Sequence, residues 1–211
     1  SIAKEMLSKD IFVNAGFNEV INYAFVDSSF IKMLGLNKDP IELANPMSNN
    51  QDIMRPSLLP SLLNNFEYNF NRGTQKFRIF EVGNVFTKEE SWKSLAGLLF
   101  FDKSSSDWSG SHQSSFFDLR KTIDTFFSRL KIEPVYNKAS INHLHPGVSA
   151  EIKMKTKSIG NIGVLHPAIQ KKLKLPDIVL FEINLDSIKL PKINSITQPS
   201  KFPGSERDLS F

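Results

Sequence analysis

Cysteine is absent from the 211 residues, which removes disulfide cross-links and thiol nucleophiles from consideration. No apolar run approaches the roughly 20 residues that a membrane-spanning helix requires. The first residues show no basic-then-apolar leader pattern, so a cytoplasmic location with no membrane partner is the expectation. A phosphate-binding loop is also missing: around Gly160 and Gly163 neither the glycine spacing nor a following lysine fits one. What the chain holds in quantity is phenylalanine, 18 residues of it, read here as core filling.

The remaining composition is that of one globular unit. Hydrophobic residues make up 40% and charged residues 23%, ordinary values for a folded domain, and a chain of this length buries one substantial core without demanding two. The net charge of +4 and pI near 9.2 tilt the surface toward anions. Charge alone fits both a solvated lysine-rich surface and one that faces nucleic acid.

Glu42 to Phe86 is the most informative stretch. Glu42-Leu43-Ala44 reads as extended and is ended by Asn45-Pro46, because the proline ring biases the preceding residue away from the helical region. A polar loop, Met47 to Ile53, follows. A helix then starts at Arg55-Pro56-Ser57 and Pro60-Ser61, where the missing proline N–H is not needed. Leu58, Leu59, Leu62, Leu63, Phe66 and Phe70 form its apolar face, Asn71-Arg72-Gly73 stops it, and Lys76 to Phe86 is a strand.

The flanking segments alternate in the same manner. Ser1 to Ala15 is predicted as a helix with Ala3, Met6, Leu7 and Val13 near one face. Phe17 to Val26 is predicted as a strand covered on both sides, and Asp27-Ser28-Ser29 caps a helix over Phe30 to Leu34 that Gly35 ends. Ser94 to Phe101 is a buried strand, and Asp102 to Ser115 a serine-rich loop expected to be mobile. Ser114 or Ser115 caps a helix whose buried face is Phe116, Leu119, Ile123, Phe126, Phe127 and Leu130. Glu133 to Asn137 is a short strand. Glu151 to Met154 and Ser158 to Leu165 form an antiparallel hairpin, Ala168 to Lys174 a helix, and Val179 to Asp186 the last strand.

The segments NPMS, MRPSLLPSLLNNFEYNFNRG and RIFEVGNVF, followed in order by FFDLRKTID, HPGVSA, IGNIGVLHP, FEINLD and FPGSERDLSF, resemble the synthetase-core region of the phenylalanyl-tRNA synthetase β chain. The resemblance implies a class II aminoacyl-tRNA synthetase-like catalytic-core fold, of the α+β class: an antiparallel sheet of about six or seven strands flanked by helices. It implies a core domain over residues 1–190, a linker over 191–201, and at 202–211 the truncated start of a ferredoxin-like anticodon-binding domain. The chain would then be an excised piece of a longer subunit. It further implies a partner, the α subunit, in an (αβ)2 heterotetramer that attaches phenylalanine to tRNA(Phe). ATP and magnesium serve the whole enzyme, and no cofactor or metal is expected in this piece.

A fold does not confer activity, so function has to be read from the site. In active class II members an arginine and a glutamate two residues apart end a strand on one face, and the arginine's planar fork holds phosphate and carboxylate. The resemblance places Phe86, Thr87, Lys88 and Glu89 there. The short neutral hydroxyl of Thr87 makes no bidentate pair. Arg78 and Glu81, three apart on a strand, point to opposite faces and cannot replace the clamp. A third, glycine-rich motif is missing, and Val148 stands where the family usually carries arginine. No catalytic residue is assigned; the expectation is a pseudo-catalytic module that supports assembly and tRNA positioning. Arg55, Asn71 and Arg72, at the two ends of the central helix, are candidates for contact with the partner or RNA, and equally for capping and loop hydrogen bonds. The alternative is a stand-alone ligand-binding or metal-dependent enzyme domain using His143, His145 and His166. Against a metal, Pro146 and Pro167 directly follow two of these histidines and mark turns, with no carboxylate at ligand spacing.

Overall fold

Eleven residues of hydrophobic alternation, Lys76–Phe86, form strand β4 and pair antiparallel with β5, Ser91–Phe101, at the heart of a seven-stranded sheet. The computed structural model describes residues 2–36, 39–46, 51–101, 112–190 and 208. In sheet order the strands are β1 (Asn18–Glu19), β4, β5, β9 (Val179–Asn184), β8 (Lys157–Leu165), β7 (Leu144–Met154) and β6 (Val135–Lys138). Only the β1–β4 pairing is parallel. A small second sheet pairs β2 (Phe25–Val26) with β3 (Ile53–Met54). The fold is therefore α+β with an antiparallel sheet, as the sequence predicts.

Both faces of the sheet are covered. One carries α1 (Ile2–Asn14) and α4 (His112–Arg129) over Phe80, Leu95, Leu99, Ile162, Phe181 and Ile183. The other carries α3 (Leu59–Phe70) and α5 (Pro167–Leu173) over Ile79, Val85, Ala96, Leu98 and Leu180. Period-two alternation sends neighbouring residues of one strand to opposite cores, which explains why the central strands read as continuous apolar runs. The apolar faces expected for α3 and α4 are the buried ones: Leu58, Leu59, Leu62, Leu63 and Phe66, and Leu119, Ile123, Phe126 and Phe127, are all at most 2% exposed. The short helix α2 (Ser28–Leu34) is capped by the Asp27 carboxylate, which accepts from Ser29 N at 2.7 Å, and ends at Gly35 with φ +66°.

Several expectations are corrected. In α1 the buried residues are Lys4, Ser8, Ile11 and Phe12, while Met6 and Val13 are exposed. Two polar residues face inward because each has a backbone acceptor: Lys4 Nζ donates to the carbonyls of Leu185 and Ile188, and Ser8 Oγ to that of Glu5. Phe17 to Val26 is not one strand but contributes to two sheets, and Ile21 and Tyr23 between them are 90% and 77% exposed. The turn inward there is taken by Asn22, whose amide groups meet Glu81. Finally, α4 begins at His112, so Ser114 and Ser115 lie inside the helix rather than at its cap. β5 starts three residues before Ser94 and β7 runs from Leu144. Residues 47–50 of the polar loop, the serine-rich loop at 102–111, and the linker and following segment apart from Asp208 lie outside the described residues.

Phe12 ties α1 to the sheet, its ring 5.3 Å from those of Phe17, Phe80 and Phe181. Phe12→Ala is expected to destabilise the fold by about 3–5 kcal/mol, through lost transfer energy plus a residual cavity, read as a lower urea midpoint. Acid stability is set by paired carboxylates. Hydrogen bonds from Ser28 hold Asp52 below the usual carboxylate range. Hydrogen bonding to Lys93 and Lys9 does the same for Glu5, and Ser158 and Lys153 for Glu151. A depressed carboxylate contributes stability that is complete above its unfolded pKa and is lost as pH falls through the folded value. Unfolding midpoints are thus expected to be level near neutrality and to fall below about pH 4, with Asp52→Asn flattening that decline.

Candidate functional site

The register of the sheet lines up Glu81 on β4, Ala96 on β5, Glu182 on β9 and Asn161 on β8 in one transverse row. Two carboxylates thus stand one strand apart on the α3 face, with only the methyl group of Ala96 between them. The segment Arg55 to Leu58, which leads into α3, lies across this row. Arg55 Nη1 meets Glu81 Oε1 at 2.6 Å, and its Nε donates to the carbonyl of Asn84 at 3.0 Å. Two residues further, Ser57 Oγ donates to Glu182 Oε2 at 2.6 Å and Leu58 N donates to Glu182 Oε1 at 3.0 Å. A carboxylate at the first turn of a helix also meets the positive end of its dipole.

The pair at Glu81 is buried and fully built. Arg55 is 5% and Glu81 2% exposed. Asn22 Nδ2 donates to Glu81 Oε2 at 2.8 Å, and Asn65 Nδ2 from α3 donates to Asn22 Oδ1 at 3.0 Å. Gly83 is required for this packing: a Cβ there would lie 2.3 Å from Arg55 Nη2. Arg78 and Glu81 do point to opposite faces, Arg78 Nη1 donating to the carbonyl of Ala15 at 2.9 Å on the α1 side.

Phe86, Thr87 and Glu89 sit where the two long strands turn. Phe86 pairs with Ser91, Thr87 N donates to the Glu90 carbonyl at 2.9 Å, and Glu90 N donates to Thr87 Oγ1 at 3.2 Å. Lys88 and Glu89 are thereby left as a two-residue turn, and Lys88 N is tied to the carbonyl of Asp39. The Thr87 hydroxyl thus closes a hairpin. Beside the row of carboxylates a cleft of about 300 Å³ remains, lined by Trp92, Ser94, Asn161, Glu182 and Asn184 among others. No arginine, lysine or histidine is among its described lining residues.

Of the candidates, Arg55 lies on this face with Glu81 as its internal partner; the others separate from it. Asn71 and Arg72 are exposed at the far end of α3, where the Arg72 guanidinium stacks 3.4 Å over the Tyr68 ring. His145 Nδ1 accepts from Gly147 N at 2.9 Å, and His166 Nδ1 accepts from Ala168 N at 3.2 Å as the N-cap of α5. His143 is buried. Among the described residues no three histidine, aspartate or glutamate side chains gather as metal ligands. Val148 lies in an irregular stretch of β7 and packs partly against the α1-side core. At Gly160 and Gly163 the close approaches are made by neighbouring backbone, the Glu182 and Val148 carbonyls. Glu182, Ser57, Asn22 and Asn65 were missed from sequence. The available signal was a single carboxylate inside each of two apolar strands, RIFEV and LFEIN, since a buried charge requires a partner.

An antiparallel sheet with this helix arrangement is the class II aminoacyl-tRNA synthetase fold. A pyrrolysyl-tRNA synthetase from Desulfitobacterium hafniense superposes with a TM-score of 0.66 over 88% of this chain and 66% of its own, at 14% identity. Residues 3–185 match the family described as the phenylalanyl tRNA synthetase beta chain CLM domain, and the chain belongs to that family. Phenylalanine–tRNA ligase beta subunits of Legionella pneumophila, Nitrosospira multiformis and Staphylococcus aureus are 38%, 36% and 32% identical over 99%, 96% and 99% of the chain. The chain spans only 26–28% of their length. The histidine-centred metal enzyme finds no support in these relationships.

Removing Glu81 while keeping Arg55 leaves a buried charge uncompensated. Glu81→Ala is expected to destabilise by about 3–5 kcal/mol, whereas Arg55→Met combined with Glu81→Leu recovers most of that loss. A double-mutant cycle on urea midpoints reads the coupling.

Proposed function

We infer that this chain is the non-catalytic synthetase-like module of a phenylalanine–tRNA ligase β subunit. The observation that carries this reading is the internal pairing on the α3 face. The buried Arg55 that crosses it is neutralised by Glu81, Glu182 is engaged by the start of α3, and the strand turn that should present a phosphate-binding arginine is closed by Thr87 in a two-residue hairpin. Among the described residues no nucleophile, general base or phosphate clamp is assembled there. In this reading phenylalanine activation with ATP and magnesium, and its transfer to tRNA(Phe), belong to the α chain of a cytoplasmic (αβ)2 assembly. Residues 191–201 lead to a further domain that begins near residue 202.

The module's role is then to hold the catalytic chain. On α1, Ile2, Met6 and Val13 are 77%, 61% and 54% exposed, and at 3.6 residues per turn they fall on one stripe. Apolar stripes facing solvent mark interaction surfaces, and this one is assigned to the α chain. The exposed Arg72–Tyr68 stack, next to Asn71, is assigned to partner or tRNA contact.

Two measurements test the reading. The chain alone is expected to show no ATP–pyrophosphate exchange with phenylalanine; exchange at an enzyme-like rate overturns the assignment. In a pull-down with the purified α chain, Met6→Glu with Val13→Glu is expected to weaken binding more than about tenfold while the thermal midpoint stays unchanged, as for surface changes generally. Undiminished binding would move the contact off α1.

A further inference from the structure

The opposite side of α1 borders a second cleft, about 420 Å³ in volume, between that helix, β4 and α4. Its α4 wall is one helical face, Asp118, Lys121, Thr122, Thr125 and Arg129, spaced three or four apart. Lys121 and Arg129 lie eight residues apart, about 12 Å along the axis. Arg78 projects from the sheet on the remaining side, anchored by its hydrogen bond to the carbonyl of Ala15. Among the described lining residues three cationic side chains, Arg78, Lys121 and Arg129, thus stand beside one carboxylate, that of Asp118.

The two threonine hydroxyls complete the polar wall. Each donates to the carbonyl four residues earlier, Thr122 to Asp118 at 3.1 Å and Thr125 to Lys121 at 2.8 Å. Their donor hydrogens are thus occupied, and the cleft's affinity for anions rests on the guanidinium and ammonium groups. The contrast with the cleft of the α3 face is chemical: that one has a carboxylate and no described cation, this one an excess of cations. Of the residues that close it on the α1 side, Ile11 lies on the opposite face of the helix from Ile2, Met6 and Val13, while Asn14 is the neighbour of Val13 and Ala15 follows the helix end.

We propose that the α1–α4 cleft is a phosphate-type oxyanion site, with Arg78, Lys121 and Arg129 as its cationic ligands and Asp118 as the group that limits its affinity. Arginine suits such a site because its planar fork presents paired donors to phosphate oxygens. The chemistry is shared by a free phosphate and by the backbone of single-stranded RNA. The two sources differ in charge number and so in salt dependence.

Nitrogen-15 NMR titrations of the 211-residue chain, with sodium chloride at matched ionic strength as reference, separate these cases. One arm uses inorganic phosphate, the other a short single-stranded RNA. Saturable shifts confined to Arg78, Asn14 and the Lys121–Arg129 turns, in either arm, are expected. Tighter binding in the RNA arm with a steep salt slope assigns a nucleic-acid backbone; equal or tighter binding in the phosphate arm assigns a free anion. Lys121→Ala with Arg129→Ala is expected to weaken binding at least about tenfold, and Asp118→Asn to strengthen it. The proposal is overturned by the absence of saturation in both arms, by shifts that chloride reproduces, or by unchanged affinity in both variants. Because neither measurement involves the α chain or amino-acid activation, its failure leaves the assembly reading intact.

Discussion

Two carboxylates inside a sheet dictate how the α3 side of this protein is built. Glu81 and Glu182 are separated by one strand, on the same face, the first buried and the second half-buried at the edge of a cleft. Buried acceptors left without donors are unfavourable by several kcal/mol, so the chain that covers them has to bring donors at that spacing. Residues 55–58 do so in one pass: a guanidinium for the first, a hydroxyl and a backbone N–H for the second. Ala96 lets that pass lie close to the sheet, and Gly83 leaves room for the guanidinium. The direction in which α3 departs follows, because the N–H of its N-cap residue Leu58 and the Ser57 hydroxyl are already fixed on Glu182.

The same constraint reaches into the N-terminal half. Asn22 faces inward to supply Glu81 with further donors, and that inversion turns Ile21 and Tyr23 outward. A local strand pattern yields to a buried electrostatic requirement, because unpaired buried charge outweighs the burial of one or two apolar side chains. Surface apolarity on this protein is therefore partly a by-product of satisfying its interior.

A class II synthetase fold does not by itself confer activity, and what a face of its sheet can do depends on a few groups. On the α3 face the buried Arg55 guanidinium meets Glu81 of the same chain, and the Thr87 hydroxyl accepts from Glu90 N in the turn of the long hairpin. Both groups are engaged within the protein, so the geometry of this face is set by its own interior.

Much of the architecture was legible in the residues. The α3 and α4 faces followed from helical spacing, the α2 caps from Asp27 and Gly35, and the hairpin of β7 and β8 from its turn, because each is decided by interactions within a few residues. The family could be read from the ordered motifs. What only the tertiary structure decided was every feature that depends on distant partners. Lys4 is buried because carbonyls near residues 185 and 188 await it, and Phe17 to Val26 is divided because Glu81 lies beside Asn22. Arg55 is internal for a like reason: strands far apart in sequence set two carboxylates one strand apart. Periodicity records how a segment divides oil from water, but not which polar group on another strand will make an inward charge the more stable choice.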